Sequence, residues 1–208
     1  MENIFDEIDA CENIDELNNI RTRYSDTYYV NIFWNSRKKA LRATTSLEKK
    51  KALTKCRYIN HIYASYIPVT YGCQRFRSPH GFRGIAISSR AKIGKGCTIF
   101  QNVTIGSNTL ADSKSSGFPV IGDNVYIGAG ATIIGDVKIG NNMRIGAGCC
   151  VTRDVEDNCT VAQGKPIVIQ KHHIQDNTFL TPSQYLKKRA QITDVSLGGM
   201  VLNGADER

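Results

Sequence analysis

The stretch VIGDNVYIGAGATIIGDVKIGNNMRIGAGC, residues 120–149, decides the fold. Its aliphatic leaders Ile121, Ile127, Ile133, Ile139 and Ile145 recur every six positions and continue to Val151. Upstream, Ile87, Ile93, Ile99 and Ile105 keep the same step before the phase breaks. An amphipathic helix would need spacings of three and four, so period six excludes it. The fourth position of each hexad reads Arg90, Gly96, Asn102, Asn108, Asn124, Gly130, Asp136, Asn142, Gly148 and Asp154. All but Arg90 tolerate a left-handed backbone at low cost, which predicts a sharp corner once per hexad. The fifth position is small or apolar (Ala91, Cys97, Val103, Val125, Ala131, Val137, Met143, Cys149, Val155) and points inward beside the leader; Thr109, at the phase break, is the exception. A short strand, a corner and an inward pair per hexad describe a β-solenoid with three hexads per coil and hydrogen bonds between stacked coils.

Outward from the repeat, the chain changes character. Residues 1–70 read as helical, with Leu17, Ile20 and Tyr24 at helical spacing and Leu53, Ile59, Ile62 and Tyr63 repeating the theme. Such a region would cap the open end of a solenoid, whose last coil has unpaired edges. The solenoid domain is expected over 71–170 and a tail over 171–208, with a helix-like stretch near Tyr185 to Arg189. Residues 108–119 interrupt the hexads with a Ser- and Gly-rich insertion, and insertions in repeat proteins project as loops on a binding face.

Composition narrows the function classes. The seven cysteines are odd in number and show no CxxC spacing, so reduced thiols in a cytoplasmic protein are expected. The inward positions of Cys97 and Cys149 make them small hydrophobes, while Cys150 and Cys159 have no neighbouring base in sequence. No apolar run is long enough for stable membrane insertion. The net charge of +8 is segregated: residues 1–26 are acidic, and residues 37–57 carry nine Lys and Arg against Glu48. That segment fits either a solvated helix face or an anion-attracting patch. It lacks interleaved aromatic motifs, so no nucleic-acid partner is expected.

The segment from Gly84 to Val168 resembles the bacterial hexapeptide-repeat O-acetyltransferases, closest to the serine acetyltransferase branch. The matching runs are Ala91-Lys92-Ile93-Gly94-Lys95-Gly96, Phe100-Gln101-Asn102-Val103-Thr104-Ile105-Gly106, Val125-Tyr126-Ile127-Gly128-Ala129-Gly130-Ala131, Ile145-Gly146-Ala147-Gly148 and Gly164-Lys165-Pro166. The resemblance implies an all-β left-handed parallel β-helix with an α-helical N-terminal region, use of acetyl-CoA, no metal, and a homotrimer. Three family features are altered: Ala86-Ile87-Ser88 stands for Asp-Ile-His, a coil carrying the catalytic His is missing, and Gly117-Phe118-Pro119 replaces Arg-His-Pro. These departures, with Pro79-His80-Gly81 before the first coil, resemble shorter relatives linked to capsule and exopolysaccharide pathways. The expected acceptor is therefore a hydroxyl of a sugar or surface glycan. Serine acetylation and a non-catalytic scaffold subunit are the alternatives. A solenoid carbonic anhydrase would need metal-binding histidines, and no hexad contains one.

Acetyl transfer needs a base for the hydroxyl proton and a groove for the thioester. Of His61, His80, His172 and His173, only His80 adjoins the first coil, and it is the expected catalytic base. Gln101, Asn102 and Phe118 are expected to bind acceptor, with Phe118 as a stacking platform. With the insertion removed from the count, hexads 99, 127 and 145 stack on one face. Their small third positions Ala129 and Ala147 then lie beside Gln101, where a pantetheine arm could approach the backbone. Gly106, Arg153 and Lys165 complete the expected cofactor contacts, the two cations meeting phosphates.

Overall fold

The computed structural model describes residues 4–23, 25–172, 174, 175, 177 and 181–197. Tyr24 and His173 lie outside the described residues. The chain divides into two units, Met1–Gly164 and Lys165–Arg208. Four helices open the first: α1 (Ile4–Asp9), α2 (Ile14–Arg23), α3 (Asp26–Arg42) and α4 (Ser46–Ile62). Ser25 caps α3 by accepting from Tyr28 N, and Thr45 with Glu48 forms a capping box on α4, so both helix starts satisfy their free amides locally.

Among the described residues, eleven short strands follow in three parallel stacks. The first face holds β1 (Ala86–Ile87), β4 (Thr104–Gly106), β7 (Thr132–Ile134) and β10 (Cys150–Val151). The second holds β2 (Lys92–Ile93), β5 (Val120–Ile121) and β8 (Lys138–Ile139). The third holds β3 (Thr98–Ile99), β6 (Tyr126–Ile127), β9 (Arg144–Ile145) and β11 (Thr160–Val161). Leaders stack on leaders: Ile87 on Ile105 on Ile133 on Val151, and Ile99 on Ile127 on Ile145. They are nearly all fully buried, as is the fifth-position column with Cys97 and Cys149, which forms a continuous core with them. Burying aliphatic side chains on a central ladder supplies the driving force that these two- and three-residue strands could not supply alone.

The faces meet at three edges of different construction. Between the second and third faces, Gly96, Asn124, Asn142 and Asn158 all take a left-handed φ. There Asn124 Nδ2 donates to Asn142 Oδ1 at 2.9 Å and Asn142 Nδ2 to Asn158 Oδ1 at 3.2 Å, an asparagine ladder. Between the third and first faces, Gly84, Asn102, Gly130 and Gly148 do the same. Between the first and second faces, the fourth-position residues Arg90, Asn108, Asp136 and Asp154 do not adopt it. Here the expectation of a left-handed fourth position fails, and a positive φ occurs instead at Gly135, one place before Asp136. The Asn and Asp side chains accept backbone amides instead: Asp154 Oδ1 from Lys138 N at 2.8 Å, and Asn108 Oδ1 from Leu110 N at 3.0 Å. The 108–119 insertion leaves from this edge. It is pinched shut by paired Asn108 and Gly117 backbone hydrogen bonds and laid on the next coil by Ser115 O accepting from Asp136 N at 2.9 Å.

The solenoid extends further toward the N-terminus than its hexads do. Tyr66, Cys73 and Arg77 bridge in parallel to Ala86, Ile93 and Thr98, one on each face, so 66–77 make an irregular first coil in which the step of six runs only from buried Ile67 to buried Cys73. The α3–α4 hairpin covers it. Phe33 meets Phe82 and Trp34 meets Phe76 edge to face, each pair with centroids 5.1 Å apart, which joins the helical core to the ladder. In the second unit, the expected helix near Tyr185 is α5 (Pro182–Leu197).

Candidate functional site

His80 sits on the turn that links the irregular first coil to β1, and it is exposed. Its Nδ1 lies 2.8 Å from Gln101 Oε1. With an amide oxygen as acceptor, Nδ1 carries the proton and the Nε2 lone pair is left to accept one. Phe100 supports the ring edge to face at 5.6 Å and rests in turn on Tyr126, with centroids 5.0 Å apart.

The turn itself is held from beneath. Arg83 donates to the His80 carbonyl at 2.8 Å and pairs with Asp26 of α3. Asp26 also accepts from Tyr63 Oη at 2.7 Å. Burial pushes the Asp26 pKa up, but hydrogen bonds from Arg83 and Tyr63 and the nearby positive charge outweigh it, so the carboxyl lies below its ordinary value. Burial, then the Asp26 contact, raises the Tyr63 phenol far above its usual range, so it remains a donor. Gly81 has a φ of +67°, and a Cβ there would stand 2.7 Å from Tyr63 Cε1 and 3.1 Å from the Asp26 carboxyl carbon. Glycine is what lets the turn close onto this pair.

His80, Gln101 and Asn102 share the edge between the third and first faces. Asn102 takes the left-handed corner and packs under Gly84, with its amide N donating to Arg83 O at 2.8 Å. Ala129 and Ala147 stack along the same edge as expected, linked through backbone bonds from Gly130 N to Gln101 O and from Gly148 N to Ala129 O. Ala129 is half-buried and Ala147 exposed, so a methyl-lined strip runs from the His80–Gln101 pair down the edge.

The other expected residues lie elsewhere. Phe118 and Arg153 are on the edge between the first and second faces, and the Arg90 guanidinium stands over the Phe118 ring at 5.1 Å. Within one chain Phe118 is thus not beside His80, and its face is engaged by a cation. Gly106 closes β4, where a Cβ would meet Ile134 Cδ1 at 2.6 Å, a packing role. Lys165 opens the second unit. Gln101, expected to touch acceptor, contacts His80 through its side-chain oxygen. The Asp26–Arg83 clamp was missed by sequence reasoning, because its members are 57 residues apart and share no periodicity.

Burial pushes the Cys56 and Cys73 thiols up to about 11 each and raises Cys97, so these remain protonated and poorly nucleophilic at neutral pH. Among the described residues, no three His, Cys, Asp or Glu side chains group to hold a metal ion, and no helix is long and apolar enough to cross a membrane.

Part of this solenoid is similar to known transferase repeats. Residues 118–153 match the family described as bacterial transferase hexapeptide (six repeats). The serine acetyltransferase of Synechococcus elongatus is 45% identical over 82 residues, 39% of this chain and 32% of that protein. That of Staphylococcus xylosus is 35% identical over 96 residues, 44% and 43% of the two chains. The chain thus spans less than half the length of these relatives. The crystal structure of serine acetyltransferase isoform 3 from Entamoeba histolytica in complex with cysteine superposes over 81% of this chain and 59% of that one, with a TM-score of 0.56 and 25% identity. The repeat family and this neighbour imply that the β-helix is left-handed.

These findings correct one expectation. A sugar or glycan acceptor, and with it a capsule or exopolysaccharide role, was expected from the altered acceptor-side motifs; the relatives are serine acetyltransferases. The altered motifs Ala86-Ile87-Ser88 and Gly117-Phe118-Pro119 show that contacts have changed without showing what replaces them.

Proposed function

We propose that the chain is an acetyl-CoA-dependent O-acetyltransferase whose acceptor is the hydroxyl of serine or a closely similar small amino acid. The His80–Gln101 pair, at the head of a strip of small residues, is the observation that carries this reading. The kinship to serine acetyltransferases supports the acceptor and the use of acetyl-CoA.

In this reading the thioester arm lies along Ala129 and Ala147, where backbone groups can approach it. The acceptor hydroxyl stands at His80 Nε2. As the hydroxyl oxygen attacks the thioester carbonyl, its proton passes to Nε2, and the imidazolium then returns a proton to the departing CoA thiolate. Gln101 holds the productive tautomer through both steps, although as an amide it cannot offset the imidazolium charge as a carboxylate would. Arg153 and Lys165 remain proposed partners for CoA phosphates. The homotrimer is likewise proposed. Apposition of two chains is the arrangement that could bring the Phe118 edge of one against the His80 edge of another.

The test is incubation with acetyl-CoA and a panel of serine, homoserine, threonine and neutral sugars, with thiol release and product mass measured. Serine or homoserine should gain one acetyl group. Acetylation of sugars alone, or no thiol release with any acceptor, would refute the reading.

A further inference from the structure

The basic segment 37–57 has no role in acetyl transfer as described, yet the fold organises it. α3 and α4 run antiparallel, and a groove lies along their length. At one end it opens into a cleft of about 980 Å³ where Lys38, Lys39 and Arg42 of α3 face Lys51 and Lys55 of α4. The one carboxylate there, Glu48, is engaged in the capping box, its Oε2 accepting from Thr45 N. Five cations therefore converge on one concavity with little local compensation. Each also repels its neighbours, a cost that an anion in the cleft would relieve.

Toward the other end the groove continues into a second cleft of about 560 Å³ that shares Ile32 and Lys55 with the first. Tyr28, Tyr29 and Tyr58 line it together with Ile32, Thr54, Lys55 and Ile59, and Tyr28 and Tyr58 are 43% and 47% exposed. From Tyr28 to Lys39 is eleven residues of helix, or ~16 Å at 1.5 Å per residue. The groove thus offers ring faces at one end and a fork of cations at the other, separated by the length of a small extended molecule. Arg and Lys recognise phosphate by charge-assisted hydrogen bonds, and tyrosine faces accept a planar ring. None of the residues that line either cleft belongs to the His80 edge.

We propose that this groove binds a nucleoside polyphosphate, with the diphosphate among Lys38, Lys39, Arg42, Lys51 and Lys55 and the base against Tyr28 and Tyr58. A flat anionic surface would not need a concave cleft, and inorganic phosphate would not use the tyrosines. The inference is independent of the acetyl acceptor and concerns a second site on the helical cap.

Calorimetric titration of the full chain with ADP tests it, beside inorganic pyrophosphate and vesicles containing anionic phosphatidylserine. ADP should bind once per chain, with an affinity that falls as salt rises. Lys39→Glu with Lys51→Glu, both exposed positions, should weaken ADP at least tenfold and leave the KM for acetyl-CoA within twofold. Tyr58→Ala should weaken ADP severalfold and leave pyrophosphate unchanged. No ADP binding would overturn the proposal. So would ADP binding indifferent to the charge reversal, which would place it at the transferase edge. Binding to vesicles with none to ADP would also overturn it, in favour of a surface role. Circular dichroism of each variant confirms that the hairpin is intact.

Discussion

The edge that carries His80 and the edge that carries the insertion are made from the same hexad, and they differ in almost every respect. At the first, left-handed corners at Gly84, Asn102, Gly130 and Gly148 turn the chain tightly, and the residues just before them are small below Gln101. What remains is a narrow, backbone-lined strip topped by an oriented imidazole. At the second, the fourth-position residues are not left-handed and Gly135 turns with a positive φ instead, Asp and Asn side chains cap neighbouring amides, and the chain can leave and return as a loop. A tight corner leaves no room to insert residues but exposes backbone, whereas a loose one tolerates insertion but covers itself. Catalysis needs fixed groups and an approachable backbone, and the first edge offers both, which is why the proposed chemistry is put there and adaptable contacts on the second.

That assignment can be broken by substituting one residue on each edge. His80→Ala should lower kcat by about 10²–10⁴-fold, the usual worth of general acid–base catalysis. Phe118→Ala should change kcat far less, and any effect should fall on the KM of the acceptor. Equal losses on the two edges would mean that both belong to one catalytic constellation, as a site shared between subunits would produce. Mixing the two variants would then regenerate active assemblies.

A smaller effect sharpens the role of the strip. Ala147→Trp fills the path of the thioester arm and should raise the KM for acetyl-CoA about tenfold or more, equivalent to ~1.4 kcal/mol of lost binding, with the acceptor KM little changed. An unchanged KM for acetyl-CoA would move the cofactor to another edge. Gln101→Ala should cost about tenfold in kcat through loss of tautomer control, and Gln101→Glu should restore orientation where Ala does not.

The clamp beneath the turn should show mainly in stability. Gly81→Ala forces a side chain into a left-handed backbone and against Tyr63, at a cost of about 1–3 kcal/mol. Asp26→Asn should cost no more than ~1 kcal/mol, because the Arg83 pair is largely exposed and screened. Its pH dependence has a definite sign. The folded pKa of Asp26 is depressed, so its contribution is present above the unfolded carboxylate value, about 3.9, and is lost as pH falls through the lower folded value. The Tm gap between wild type and Asp26→Asn should therefore be full at pH 6 and shrink as the pH falls below the ordinary carboxylate range. A gap independent of pH would mean that the carboxylate charge is not what holds the turn.

The repeat was legible in the sequence because each leader obeys a local rule that recurs; Ile99, Ile127 and Ile145 stack where counting places them. His80 was singled out by elimination among four histidines, and its role remains a proposal. The first coil was not legible, since its step of six runs only from Ile67 to Cys73 and its pairing is with the coil above. The Gln101 contact and the Asp26–Arg83 clamp were invisible for the same reason: each joins distant segments through tertiary packing. The acceptor was misread because altered loop residues show that a contact has changed without showing what replaces it.

The claim that His80 is the base of the transferase edge is tested most directly by chemical rescue. His80→Ala should have little turnover of acetyl-CoA with serine. Added imidazole should restore it in proportion to its concentration, because the truncated side chain leaves an exposed space beside Gln101 for a free base. Full activity of His80→Ala without imidazole would contradict the account.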